Sequence, residues 1–266
     1  MQAFSTIEVE FSDQGVATLW LNRPDKNNAF NGAMIDELRR ALTDLAARPA
    51  TRFVLLRGRG KHFSAGADLA WMHASATLSY DDNVLEAGKL AQLMEQLQQL
   101  PLPTLAIVQG AAFAGAMGLV SCCDMAIGSD DAQFCLSEVR LGMAPAVISP
   151  YVVKAIGLRA ATRYTLTADR FDAARARELG LLAEVYPREE LELAVRTWTR
   201  NLLQNGPEAL KACKALLLEV GGGAPAADLQ AHTQATIARL RTSAEGQEGM
   251  QAFLQKRSPA WPGAST

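Results

Sequence analysis

The sequence predicts an α/β protein: a largely parallel sheet crossed over by helices, followed by a helical C-terminal part. Three observations carry this. Short apolar runs are separated by helical patterns of ten or more residues, which implies crossover connections and parallel pairing. Small residues cluster just past the ends of two of these runs, where α/β sheets bind ligands. After Pro150 the pattern becomes helical and stays so to the end.

Taken in order, Ile7, Val9 and Phe11 alternate with polar residues, a turn is signalled at Asp13 to Gly15, and Val16, Thr18 and Trp20 alternate again. Asn31 is placed to cap a helix in which Ile35, Leu38, Leu42 and Leu45 recur at helical spacing, ending near Arg48-Pro49. Phe53 to Leu56 reads as a buried strand. Leu90, Leu93, Leu97 and Leu100 mark a second helix, stopped by Pro101 and Pro103. Strands are expected at Thr104 to Val108, at Met125 to Ile127 and near Phe134, with a Gly/Ala-rich helix start after the first of them. Helices are expected over 150–157, 159–167, 172–179, 189–204, 207–219 and 225–255, with Gly221-Gly222-Gly223 as the one clear break. The division expected is an α/β core over 1–200 and a helical region over 201–266, whose apolar faces call for a covering partner such as a second subunit.

Composition excludes several function classes. The chain has 266 residues, 49% of them hydrophobic, and a formal net charge of -2. A nucleic-acid binder would show a basic excess, so none is expected as a partner. No apolar run approaches the ~20 residues of a membrane span. The first residues carry acids and no basic stretch, so a secretory signal is not expected. The four cysteines fit neither a zinc spacing nor a disulfide framework and read as buried apolar residues in a reducing cytoplasm. His62, His73 and His232 give no metal-ligand spacing, and no Gly-x-Ser-x-Gly nucleophile turn occurs.

Chemistry concentrates in Phe63-Ser64-Ala65-Gly66-Ala67-Asp68-Leu69 and in Gly110 to Gly118. Tiny residues let a ligand approach the backbone, and the first N–H groups of a helix lack internal acceptors. Two such N–H groups aimed at one oxygen stabilise an oxyanion or enolate, each worth about 3–4 kcal/mol. The same residues also suit tight turns and close helix–sheet packing. Gly58-Arg59-Gly60 lacks the third glycine of a dinucleotide fingerprint, with Phe63 in its place.

Asn22-Arg23-Pro24 with Asn28-Ala29, the two small-residue segments, Cys123-Asp124, Ala132-Gln133-Phe134, Glu138, Leu141-Gly142, Phe253 and Lys256-Arg257 together resemble the crotonase (enoyl-CoA hydratase/isomerase) family in order and spacing. The resemblance implies a crotonase-like ββα superhelix core with a C-terminal helical region, assembled as a homotrimer or a homohexamer. It implies an acyl-CoA substrate, coenzyme A entering as part of that substrate with no separate cofactor. By position, the thioester oxygen falls to the backbone N–H groups of Ala67 and Gly115. Ala65, Asp68, Leu69, Trp71, Met72, Lys26 and Gly118 are the candidate substrate contacts. Trp71 and Met72 serve equally as core, and Asp68 and Asp124 as turn or cap residues. Lys61 and Lys256, with Lys26, are candidates for the coenzyme A phosphates.

The sequence departs from the family pattern at one point. Hydratases of the family carry two glutamates; here the first position is Gly118, and the second falls on Glu138. One carboxylate still suffices for hydration, taking a proton from water and returning one to carbon, and equally for a double-bond shift. The alternative for Glu138 is a surface ion pair with Arg140. Gly66 to Met72 with Tyr80-Asp81-Asp82-Asn83, and Pro145 to Val152, resemble bacterial hydratases of 3-substituted glutaconyl-CoA, namely 3-methylglutaconyl-CoA and isohexenylglutaconyl-CoA. The expected activity is therefore that of an enoyl-CoA hydratase, a carbon–oxygen lyase. An enoyl-CoA isomerase and a non-catalytic binding protein of the same fold are the alternatives. Lys89, Arg140 and His73 are the candidates for meeting a distal acyl carboxylate.

Overall fold

In a computed structural model of the chain, residues 4–222 and 226–261 are described. The N-terminal half contains β1 (Ile7–Phe11), β2 (Val16–Leu21), α1 (Gly32–Ala47), β3 (Phe53–Gly58), α2 (Leu69–Ser75), α3 (Tyr80–Gln98) and β4 (Thr104–Val108). Then follow β5 (Ala111–Phe113), α4 (Gly115–Cys122), β6 (Met125–Ser129), β7 (Gln133–Cys135), α5 (Ser149–Ile156) and α6 (Leu158–Thr167). The remainder is β8 (Phe171–Asp172), α7 (Ala173–Glu178), β9 (Glu184–Tyr186), α8 (Leu191–Leu203), α9 (Pro207–Gly221), α10 (Ala226–Thr242) and α11 (Ala244–Leu254).

β1 and β2 form the expected antiparallel hairpin, closed where Gly15 takes a positive φ of 79°. From β2 onward the main sheet is parallel, in the order β1-β2-β3-β4-β6-β9. β4 is buried at every residue, as a strand covered on both faces should be. A second sheet of three short strands, in the order β5-β7-β8, stands beside it. This is an α/β core with a helical C-terminal region, as expected.

Helix α1 begins as expected: the Asn31 side chain accepts the Met34 N–H at 2.9 Å. Its 3.6-residue periodicity buries Met34, Ile35, Leu38, Leu42 and Leu45 on one face, each burial stabilising by about 1.5–3 kcal/mol. On the same face Glu37 is buried with a charge, and Ser5 and Thr6 answer it. Their backbone N–H groups and hydroxyls all donate to its carboxylate. Burial pushes the Glu37 carboxyl up, but those donors outweigh it and hold it below the ordinary value. Glu37→Ala should lower unfolding free energy by about 2–3 kcal/mol in urea denaturation at neutral pH. Because the folded pKa is depressed, that stability is present above the ordinary value of 4.5 and is lost as pH falls through the folded one.

Three corrections to the sequence reading concern short or C-terminal elements. β5 lies where a helix start was expected, and β8 and β9 interrupt a region read as wholly helical; each has only two or three residues. The helix expected over 225–255 is two helices; its first residue lies outside the described residues, as does Gly223 of the expected break. The split falls at Ser243, whose hydroxyl accepts the Gly246 N–H at 3.0 Å. There a Cβ on Gly246 would sit 2.0 Å from the Leu240 carbonyl oxygen. Glu245, just past that turn, accepts the N–H groups of Glu208 and Ala209 and so caps α9, which has no side-chain cap of its own.

Asp124 is a clamp rather than a helix cap. It accepts the Thr104 N–H and hydroxyl and pairs with Lys214 of α9 at 2.9 Å, joining β4 to the C-terminal helices. No helix among the described residues is long and apolar enough to cross a membrane.

Candidate active site: two free amides and one buried carboxylate

The first small-residue turn is held from three sides. Asn28, buried and at a positive φ of 54°, donates its amide to the carbonyls of Arg59 and His62. The segment then runs beside β5: Phe63 N–H donates to the Gln109 carbonyl at 2.7 Å, Ser64 N–H to Ala111 at 2.9 Å, and Phe113 N–H to Ser64 at 3.1 Å. Gly66 turns the chain at a φ of 101°, where an L side chain is strained.

Phe30 then orients Ala67. Its N–H donates to the Gly66 carbonyl and its carbonyl accepts the Asp68 N–H, both at 2.8 Å, in a parallel bridge centred on Ala67. Successive N–H groups alternate sides along an extended chain, so the Ala67 N–H points away from Phe30. It has no acceptor among the described residues. Asp68 caps α2: one oxygen accepts the Ala70 and Trp71 N–H groups, and the other the Arg23 guanidinium at 2.9 Å. The Arg23 hydrogen bond, chiefly, holds its carboxyl below the ordinary value.

The second turn follows β5. Ala114 adopts φ 51°, ψ -122°, a sparsely populated conformation that costs about 1–3 kcal/mol and persists only where neighbours enforce it. The Cys135 carbonyl accepts its N–H at 2.8 Å, while its own carbonyl accepts the N–H groups of Met117 and Gly118. This orients the next peptide, whose N–H is that of Gly115, the first residue of α4. A first-turn N–H has no intrahelical acceptor, and this one has no other among the described residues. The turns touch: a Cβ on Gly66 would lie 3.4 Å from the Phe113 carbonyl oxygen and 3.6 Å from the Ala114 Cβ. A Cβ on Gly115 would lie 3.8 Å from the Phe30 ring, so Phe30 neighbours both donors.

The β5–β7 pairing that sets Phe113 against Cys135 also delivers Glu138, three residues past the end of β7. Its Oε2 is buried with no hydrogen-bond partner, and burial pushes the carboxyl above its ordinary value. The expected alternative, an ion pair with Arg140, does not form. Arg140 donates instead to the Ala168 carbonyl at 2.7 Å.

Gly118 is buried, and a Cβ there would sit 2.3 Å from Ile148 Cγ2 and 3.3 Å from Met94 Cε. Gly118, expected to border substrate, packs directly beneath Ile148. Apolar atoms fill the place of the first family glutamate, so a larger residue there must displace Ile148.

The other candidates are spread out. Ala65 is half-buried within the first turn; Leu69 is 82% exposed; Trp71 and Met72 are half-buried, with Trp71 packed on the core. Lys26, Lys61, Lys256 and His73 are exposed. Lys89 is engaged by Glu86 on its own helix at 2.6 Å. Two surface clefts of about 600 Å³ lie elsewhere, and neither is lined by Ala67, Gly115 or Glu138. Phe30, Ile148 and His62 were missed as site residues. Each stood within or directly beside a stretch the sequence had singled out: Phe30 after Asn28-Ala29, His62 before Phe63-Ser64 and Ile148 within Pro145 to Val152.

A parallel-sheet core, two unused N–H groups on touching turns and one half-buried carboxylate are the equipment suited to stabilising an oxyanion and moving a proton. Comparison with known proteins gives the family. The pattern described as enoyl-CoA hydratase/isomerase matches residues 12–264. An enoyl-CoA hydratase structure from Shewanella pealeana is 45% identical, with a TM-score of 0.92, covering 98% of this chain and 97% of that one. AtuE from Pseudomonas aeruginosa is 37% identical, with a TM-score of 0.93, over 97% of this chain and all of that one. A trans-2-decenoyl-acyl-carrier-protein isomerase from Streptococcus mutans is 30% identical over 259 residues, 94% of this chain and 96% of its own. The chain belongs to the enoyl-CoA hydratase/isomerase family.

Proposed function

We propose that the protein is an enoyl-CoA hydratase acting on a 3-substituted glutaconyl-CoA such as 3-methylglutaconyl-CoA or isohexenylglutaconyl-CoA. The observation that carries the hydratase reading is the half-buried carboxylate of Glu138, its Oε2 without a hydrogen-bond partner, on the β5–β7 pairing that also supplies the free Gly115 N–H. The acyl class is supported by the resemblance of residues 66–72 with 80–83, and of residues 145–152, to bacterial hydratases of such substrates.

In the reaction, the thioester oxygen accepts hydrogen bonds from Ala67 and Gly115. Glu138 takes a proton from water as the water oxygen bonds to C3, the C2–C3 π pair becomes the thioester enolate, and Glu138 returns a proton to C2. A raised pKa makes the Glu138 carboxylate a stronger base towards water, and the carboxyl it becomes is still acidic enough to protonate the enolate carbon. The reaction needs no cofactor besides the coenzyme A of the substrate, with Lys26, Lys61 and Lys256 available to its phosphates, and it belongs to the cytoplasm. Residues 201–266 form the assembly region of a homotrimer or homohexamer, a reading supported by the exposure of Phe253 and Leu254, 82% and 78%.

Incubation with 3-methylglutaconyl-CoA and mass spectrometry of the thioester should show a product heavier by one water. An unchanged mass with a shifted double bond would instead establish the second reading, an enoyl-CoA isomerase, which the single carboxylate and the isomerase relative favour. An untouched thioester would reject this acyl class.

A further inference from the structure

We propose that His62 is a positioning residue whose imidazole supplies a missing ladder rung between the two turns that carry the Ala67 and Gly115 donors. The proposal rests on the oxyanion reading of those turns.

Residues 62–64 run parallel to β5, bridged at Ser64 and Ala112, with Ser64 N–H on the Ala111 carbonyl and Phe113 N–H on the Ser64 carbonyl. In a regular parallel ladder the next rung would be the Ala111 N–H on the His62 carbonyl. That carbonyl is taken by the Asn28 amide at 2.8 Å. The Ala111 N–H donates instead to His62 Nδ1 at 2.9 Å, so the side chain stands in for its own backbone. Gly110 makes the substitution possible, since a Cβ there would lie 2.5 Å from Nδ1. β5 is three residues long and ends at the strained Ala114, and the His62 bond adds a fourth rung to the three backbone bonds of Phe63, Ser64 and Phe113 that join it to the first turn.

The rung needs Nδ1 unprotonated, with the ring proton on Nε2. The charged groups facing the ring are Lys61 on its own segment, Asp131 before β7 and Arg188 after β9, the last two paired at 2.9 Å. Burial, then Lys61, holds the imidazole below its ordinary 6.5, against the pull of Asp131. The rung is therefore intact above that value and is lost as pH falls through the lowered folded one.

Asparagine places an amide oxygen where Nδ1 stands and does not titrate; leucine fills the space without an acceptor. His62→Leu should lower kcat by roughly ten- to a hundredfold at neutral pH, as a misplaced donor does. His62→Asn should restore kcat to within about twofold and remove the histidine component from the acid limb below pH 6.5. Equal impairment of both variants, or an unchanged acid limb in His62→Asn, would overturn the proposal. Hydrogen exchange at the Ala111 amide tests the rung without any turnover. Protection should match wild type in the asparagine variant and fall in the leucine variant; equal protection in all three would refute it. If wild type turns over no enoyl-CoA, the functional reading fails while this exchange result still decides the rung.

Discussion

Glu138→Gln should lower turnover by about 10²- to 10⁴-fold, the range ascribed to one positioned general acid–base, while acyl-CoA still binds. The amide keeps the shape of the side chain and removes only its capacity to take and return a proton. Binding, read by calorimetry with a non-reactive acyl-CoA, should stay within a few-fold of wild type, because the Ala67 and Gly115 donors are untouched. A variant that turns over normally would remove Glu138 from the mechanism. Stability should move the other way. Burial raises the Glu138 carboxyl above its ordinary 4.5, so the charged form is the disfavoured one in the folded protein. The contribution of Glu138 to stability is greatest below 4.5 and declines as pH rises through the raised value. The glutamine variant lacks this decline and should unfold at an equal or higher temperature than wild type at neutral pH.

Replacing the Gly115 amide by an ester, with glycolate installed at that position, should cost about 10²- to 10³-fold in kcat. The substitution deletes one hydrogen-bond donor and adds no atom to a turn where Ala114 is already strained. A proline at 115 would delete the same donor but would also constrain the residue before it. An ester carbonyl accepts more weakly, so the Met117 and Gly118 N–H groups on the Ala114 carbonyl also lose something. The thermal midpoint, measured alongside, separates that loosened helix start from the loss of the donor. Unchanged turnover would remove Gly115 from the oxyanion site.

Much of the architecture was legible because its signals are local. The alternation in Ile7, Val9 and Phe11, the helical spacing of Ile35, Leu38, Leu42 and Leu45, and the Asn31 cap each report one element's own buried face or end. The long parallel strands read as apolar runs because both faces are covered. β5, β8 and β9 were not legible. Two or three residues cannot show a period, and they are strands only because a partner pairs with them. The split of the last helical stretch at Ser243 was likewise hidden, since the turn depends on how closely Gly246 approaches Leu240.

The same division holds at the site. Residue order singled out the two small-residue turns, and the family resemblance pointed to Glu138 and to the absence of an acid at 118, since motifs and their spacing are properties of the chain. Tertiary structure decided that Phe30 turns the Ala67 N–H outward, that His62 replaces its own carbonyl on β5, and that Arg140 turns to the Ala168 carbonyl rather than to Glu138. It also decided that Ile148 seals Gly118, a contact between residues thirty apart. An N–H is free, and a carboxylate buried, only relative to what the folded chain brings beside it. Such relations between distant residues are made by packing, and no local pattern of residues encodes them.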